Sequence, residues 1–144
     1  MDPTVYKGAK KGYFAWGSIY RSYVAQEGEA DGVKITCHGS PGHGSKFIEN
    51  TAVEKLNNVM NEALKFREQQ RRLLEADSSL TLGDVTTLNL TILNGGVQAN
   101  VLPEKFEAYF DIRITPTTDF DEFERMLGNW CKDAGEGVTY EFIS

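Results

Sequence analysis

Both histidines of the chain, His38 and His43, lie in one short stretch, KITCHGSPGHGSKF at positions 34–47. Such a stretch can do chemistry as a metal site or as a hydrogen-bonding loop, or it can be a turn that carries two imidazoles. A zinc site needs three or four converging N, S or O ligands, and a catalytic one keeps a further position open. Cys37, His38 and His43 offer three, but neighbours on a strand point to opposite faces, so Cys37 and His38 cannot both turn to one ion without distortion. The chain has no third histidine, no HExxH helix, no GxSxG elbow and no phosphate-binding glycine loop. A histidine also acts without metal, as a donor to a substrate carbonyl or to a developing oxyanion. SPGHGS suits that role. Pro41 stiffens the turn, Gly42 and Gly44 let backbone approach a ligand, and Ser40 or Ser45 can tie the loop down. On residue chemistry alone, an exposed turn histidine is the simpler account.

Composition bounds what such a loop can belong to. At 144 residues and 16.1 kDa the chain is one domain's worth. Its 15 basic and 21 acidic residues give a net charge of −6, which opposes a phosphate backbone, so no nucleic-acid partner is expected. No apolar run approaches a membrane span and the N-terminus lacks a signal-peptide stretch, so no membrane partner is expected. Cys37 and Cys131 stand far apart without a CxxC, which argues for a reduced, cytoplasmic protein.

The elements that must position the loop follow from periodicity. Residues 1–31, rich in glycine and aromatics without a sustained period, are expected to form an N-terminal arm, and 32–144 the domain. GVKITCH alternates Val33, Ile35 and Cys37 against Lys34, Thr36 and His38, as a half-buried strand does. A long helix should follow, with Ala52, Leu56, Val59, Met60 and Ala63 on one face and a Thr51/Glu54 capping box at its start. Its basic residues Arg67, Arg71 and Arg72 lie toward the C-terminal end, where the dipole favours them. DVTTLNLTIL places Leu88, Leu90 and Ile92 on one face, and KFEAYFDIRI places Phe106, Ala108, Phe110, Ile112 and Ile114 on one face. Asn94-Gly95 reads as the turn between these strands. A second helix, with Phe120, Phe123, Leu127, Trp130 and Ala134 in register, stops at Gly135. GVTYEFIS closes as a strand. The order predicts an α+β fold, ferredoxin-like βαββαβ, with a four-stranded antiparallel sheet and two helices on one face. Thr87, Asn89, Thr91, Glu107, Tyr109, Asp111 and Arg113 should occupy the other face. An RNA-recognition module shares this topology, but its open face would need exposed aromatics and basic charge, and here only Tyr109 answers.

Three blocks, HGSPGHGSKFIENTAVEKL, NLTILNGGVQANVLPEKFEAYFDIRI and DEFERMLGNWCKDAGEGVTYEF, occur in this order. Together they resemble the lid, or dimerisation, domain of the aminoacylase family. These are zinc-dependent amidohydrolases and exopeptidases that include carboxypeptidase G and succinyl-diaminopimelate desuccinylase. The resemblance covers roughly residues 32–143. It implies a parent that hydrolyses N-acyl-L-amino acids to a carboxylate and an amino acid, with zinc held in a separate catalytic domain. The family's metal ligands lie in an HxD motif, a Glu-Glu pair and further residues of that domain. This chain has neither motif, so it is expected to carry no metal and to be inactive alone. By resemblance His43 matches the histidine that reaches into the partner subunit's site and holds the substrate carbonyl. Asn100 matches a substrate-contacting asparagine and Arg113 an arginine suited to a carboxylate. The resemblance further implies a homodimer through residues 51–93, joining two sheets at an edge. A stand-alone, non-catalytic dimerisation or protein-interaction module is the alternative.

Overall fold

The computed structural model describes residues 32–143. The arm expected over 1–31 lies outside the described residues. β1 (Gly32–His38) buries Val33, Ile35 and Cys37 and leads into a two-residue strand β2 (Gly42–His43). Helix α1 (Ala52–Ala76) follows, then a 3-10 turn (Leu82–Asp84), β3 (Thr87–Gly95), a two-residue β4 (Val101–Leu102) and β5 (Lys105–Arg113). Helix α2 (Phe120–Ala134) and β6 (Val138–Ile143) complete the domain. The sheet order is β3-β5-β1-β6, with every neighbouring pair antiparallel. This is the ferredoxin-like arrangement, with β3 and β6 at the edges.

Local chemistry starts and stops the helices. Thr51 caps α1, its Oγ1 accepting the Glu54 N–H at 3.2 Å. Asp119 caps α2 by accepting the N–H groups of Asp121 and Glu122, and Gly135, at φ 130°, ends it. The apolar stripes of both helices close over one sheet face: Leu56, Val59 and Ala63 of α1 and Phe123, Leu127 and Trp130 of α2 meet Ile35, Phe110 and Ile112. Phe66 packs edge-on against both Phe123 and Trp130. Where α1 meets the sheet edge, Gln70 Oε1 accepts the N–H of buried Thr86, and Thr86, Thr115 and Thr118 hydroxyls satisfy one another.

Three details depart from the sequence expectation. Arg71 and Arg72 stop short of the last turn of α1 and pair with Glu68, and Arg71 also with Glu75, rather than with the helix end. Asn94 and Gly95 do not turn. They extend β3, with Gly95 opposite Phe106, because the missing Cβ leaves room for the Phe106 ring, which a side chain there would meet at 2.5 Å. The reversal falls later, at Gln98–Val101.

The third departure is a bulge at Thr91. Leu90 faces Phe110, but Ile92 faces Tyr109 and Leu93 faces Ala108. One extra residue therefore turns Ile92 to the open face and brings Leu93 onto the helix face. Both are about half exposed, at 50% and 52%.

Candidate functional site

At the end of the sheet where β1 stops and β5 starts, two loops lie side by side. β2 and β4 pair antiparallel, with Gly42 opposite Leu102 and His43 opposite Val101. The Gly44 N–H donates to the Asn100 carbonyl at 2.7 Å. His43 and Asn100, far apart in sequence, are thus joined through backbone. Both side chains are exposed.

The base of the histidine loop is held more firmly. The Gly39 N–H donates to Glu104 O and the Ser40 N–H to Asn50 O, each at 2.9 Å. Gly39 lies so close to α1 that a Cβ would meet the Ala52 nitrogen at 2.2 Å, so only glycine fits there. Lys55 Nζ donates to the His38 carbonyl at 2.9 Å and to the Glu136 carbonyl at 2.6 Å. One side chain of α1 therefore ties the end of β1 to the turn before β6. Lys55 has no sequence signal, because its partners are set by the packing of α1 against both.

Within the loop, His43 opens a tight turn closed by the Lys46 N–H donating to the His43 carbonyl at 3.1 Å. Inside it, the imidazole Nδ1 lies 2.7 Å from Ser45 Oγ and accepts the Ser45 N–H at 3.2 Å. Phe47, two residues beyond Ser45, is wholly exposed, as is most of Val97 in the neighbouring loop. The tip thus presents an imidazole, an amide and two apolar side chains to solvent.

Arg113 stands elsewhere. It pairs with Asp111, its guanidinium nitrogens 2.9–3.2 Å from the carboxylate oxygens. It lies at the far end of β5, opposite Thr87. At roughly 3.4 Å per residue, β5 separates it from the two-loop tip by more than about 25 Å. One chain brings His43 and Asn100 together and holds Arg113 apart.

His38 is exposed and Cys37 is fully buried on the core side of β1. The alternation of the strand thus separates them, as expected of neighbours. Among the described residues, no three His, Cys, Asp or Glu side chains cluster closely enough to hold a metal ion. The described residues do not fit a zinc site. No helix of the described residues is long and apolar enough to cross a membrane.

Comparison with known proteins agrees with this architecture. A family model described as peptidase dimerisation domain matches residues 27–139. Aminoacylase-1A of Rattus norvegicus is 51% identical over 110 residues, covering 76% of this chain and 27% of that protein. Aminoacylase-1 of Homo sapiens is 50% identical with the same coverage. Aminoacylase-1 of Dictyostelium discoideum is 43% identical over 123 residues, 78% of this chain and 30% of its own length. The chain thus spans about a quarter of the length of these relatives. Solved structures share the fold at lower identity. A hydantoinase/carbamoylase family amidase from Burkholderia ambifaria matches with TM-score 0.55 and 13% identity over 76% of this chain and 25% of its own. The aminobenzoyl-glutamate utilization protein from Klebsiella pneumoniae matches with TM-score 0.51 and 12% identity over 78% of this chain and 27% of its own. The matched span contains both helices, the β3 edge and the loops that carry His43 and Asn100, and with it the chain belongs to the peptidase dimerisation domain family, as the dimerisation region of aminoacylase-like enzymes.

Proposed function

We propose that this domain is the lid of a zinc amidohydrolase that cleaves N-acyl-L-amino acids, and that it pairs with a second copy through residues 51–93. The observation that carries the reading is the two-loop tip: His43 and Asn100, held together by the Gly44–Asn100 hydrogen bond, face outward on a rigid base. A side chain that contributes to a site inside its own domain would be turned inward. One that serves a neighbour's cleft must protrude. In the dimer His43 donates to the substrate carbonyl as negative charge develops on its oxygen, and Asn100 orients the substrate carbonyl or carboxylate.

The pairing surface is supported by β3. Among the described residues its outer edge has no strand partner, and it carries Ile92 and Leu93 half exposed. Its exposed side chains include no lysine or proline, the usual protection of a lone edge. An antiparallel two-fold pairing of β3 with its copy also turns the second subunit end for end. The partner's Arg113 then lies at the same end of the joined sheet as His43 and Asn100. There its fork can take a substrate carboxylate in exchange for Asp111. Zinc belongs in this reading to the catalytic domain of the parent. The two free, buried cysteines agree with a cytoplasmic setting.

Sedimentation equilibrium of this chain tests the interface: a dimer is expected, and Leu93→Asp should convert it to monomer by placing a charge in the seam. A chain that is monomeric at every concentration overturns the pairing. In the full-length parent, His43→Ala should keep the dimer and lower kcat about 10²–10³-fold, as loss of one oxyanion donor does. An unchanged kcat removes His43 from the reaction.

A further inference from the structure

The His43 imidazole can stand in either neutral tautomer, and which one decides what its outward nitrogen can bind. Two groups of Ser45 face Nδ1, the hydroxyl at 2.7 Å and the backbone N–H at 3.2 Å. The hydroxyl can donate or accept. The backbone N–H can only donate, so Nδ1 must offer its lone pair there and cannot carry a proton. The hydroxyl, sharing the same nitrogen, then donates as well. The arrangement is the histidine counterpart of an Asx turn, in which a side chain accepts the N–H two residues on. The turn that holds the N–H in place is itself closed by Lys46 and fastened to Asn100 through Gly44.

We propose that Ser45 is a positioning residue that locks His43 as the Nε2–H tautomer, so that the tip presents a hydrogen-bond donor and takes only acceptor ligands. This deepens the reading of His43 as a carbonyl-holding group, and rests on it for the identity of the acceptor. A carbonyl, carboxylate or oxyanion oxygen fits Nε2–H. A metal ion at Nε2 does not: it needs that nitrogen's lone pair, the proton would move to Nδ1, and Nδ1–H would then oppose the Ser45 N–H donor to donor. A group that can only donate, such as an ammonium, is excluded as a metal ion is, because Nε2–H has no lone pair to offer.

The test is long-range ¹H–¹⁵N NMR of the imidazoles in the full chain, above the imidazole titration range, with exposed His38 as the internal reference. His43 should show an unprotonated, hydrogen-bonded Nδ1 and a protonated Nε2, with a tautomer ratio more one-sided than that of His38. Ser45→Ala, which keeps the backbone N–H, should leave the His43 ratio more one-sided than that of His38, whereas Ser45→Pro, which has no N–H, should reduce it about fivefold, the ratio that one ordinary net hydrogen bond is worth. One equivalent of zinc chloride should leave the His43 signals in place. A wild-type His43 ratio equal to that of His38, a Ser45→Pro ratio identical to wild type at His43, or zinc coordination at His43 would each overturn the proposal. The kcat of His43→Ala in the parent decides the catalytic reading separately, so failure of one does not imply failure of the other.

Discussion

Glu107 shows how a single residue on the open face of the sheet can be buried and still charged. It is only 9% exposed, with Lys34 Nζ at 3.2 Å, Lys105 Nζ at 3.7 Å and Asn94 Nδ2 donating to it at 3.4 Å. Burial pushes its carboxyl up, but the hydrogen bond and charge of Lys34, with Lys105 and Asn94, outweigh that and hold it below the ordinary glutamate value. Lys34 mirrors this: burial lowers its ammonium, while Glu107 raises it above the ordinary lysine value. A depressed carboxylate contributes stability that is complete above its unfolded value, about 4.3, and is lost as pH falls through the folded value. Lys34→Met should therefore be less stable than wild type near neutral pH, and the two should converge in acid, where Glu107 is protonated in both. Urea midpoints at about pH 7 and in acid well below the ordinary glutamate value check this. Equal midpoints at both would show that the pair contributes nothing.

At the scale of elements, α1 is the part on which both the loop and the interface depend. Its first turn carries Thr51, the cap, and Lys55, the clamp on β1. Its second half carries an exposed ion network in which Arg71 and Arg72 hold the Glu68 carboxyl down to about 2. These pairs are fully solvated, so salt screens them and they set the helix surface rather than its stability. The cap is different, because Thr51 is buried and its hydroxyl satisfies an otherwise orphaned N–H. Thr51→Ala should destabilise the domain by about 1 kcal/mol, within the range of roughly 0.5–2 for lost caps, read from the shift in urea midpoint at constant slope. A shift of only a few tenths would mean that α1 starts without its cap. Edge strand β3 depends on α1 in turn, since Arg67 Nε donates to Asn89 Oδ1 at 3.0 Å and Gln70 holds Thr86.

For the whole molecule, the two thiols report on the integrity of the core. Cys37 and Cys131 sit in one apolar cluster with Leu56, Phe123 and Ala134. Burial pushes Cys37 up to about 11, against the opposing charge of Lys55. Burial, and then the neighbouring Cys37, push Cys131 up to about 12. A thiol raised in the folded state contributes stability that is present below its unfolded value, about 8.5, and is lost as pH rises toward the folded one. At neutral pH both thiols should be inert to an aromatic disulfide reagent until the domain opens. They should then react together, at the rate of global unfolding. Reaction of one cysteine well before the other would show that α2 separates from β1 as an independent unit.

Much of this was legible in the residues themselves. Strands read out at period 2, helices at 3.6, Thr51 and Gly135 marked helix ends, and the order of elements then left few topologies. These signals are local, since each depends on neighbours within one or two turns of chain. The blocks around His43, Asn100 and Arg113 also carried the family likeness. Tertiary structure alone decided the rest. The bulge that turns Ile92 outward, the extension of β3 past Asn94, the Lys55 clamp and the company Glu107 keeps all depend on groups from distant parts of the chain meeting at hydrogen-bond distance. Above all, it joined His43 to Asn100 and left Arg113 at the opposite end of β5, because sheet register, which no short stretch of sequence specifies, sets which side chains can act together.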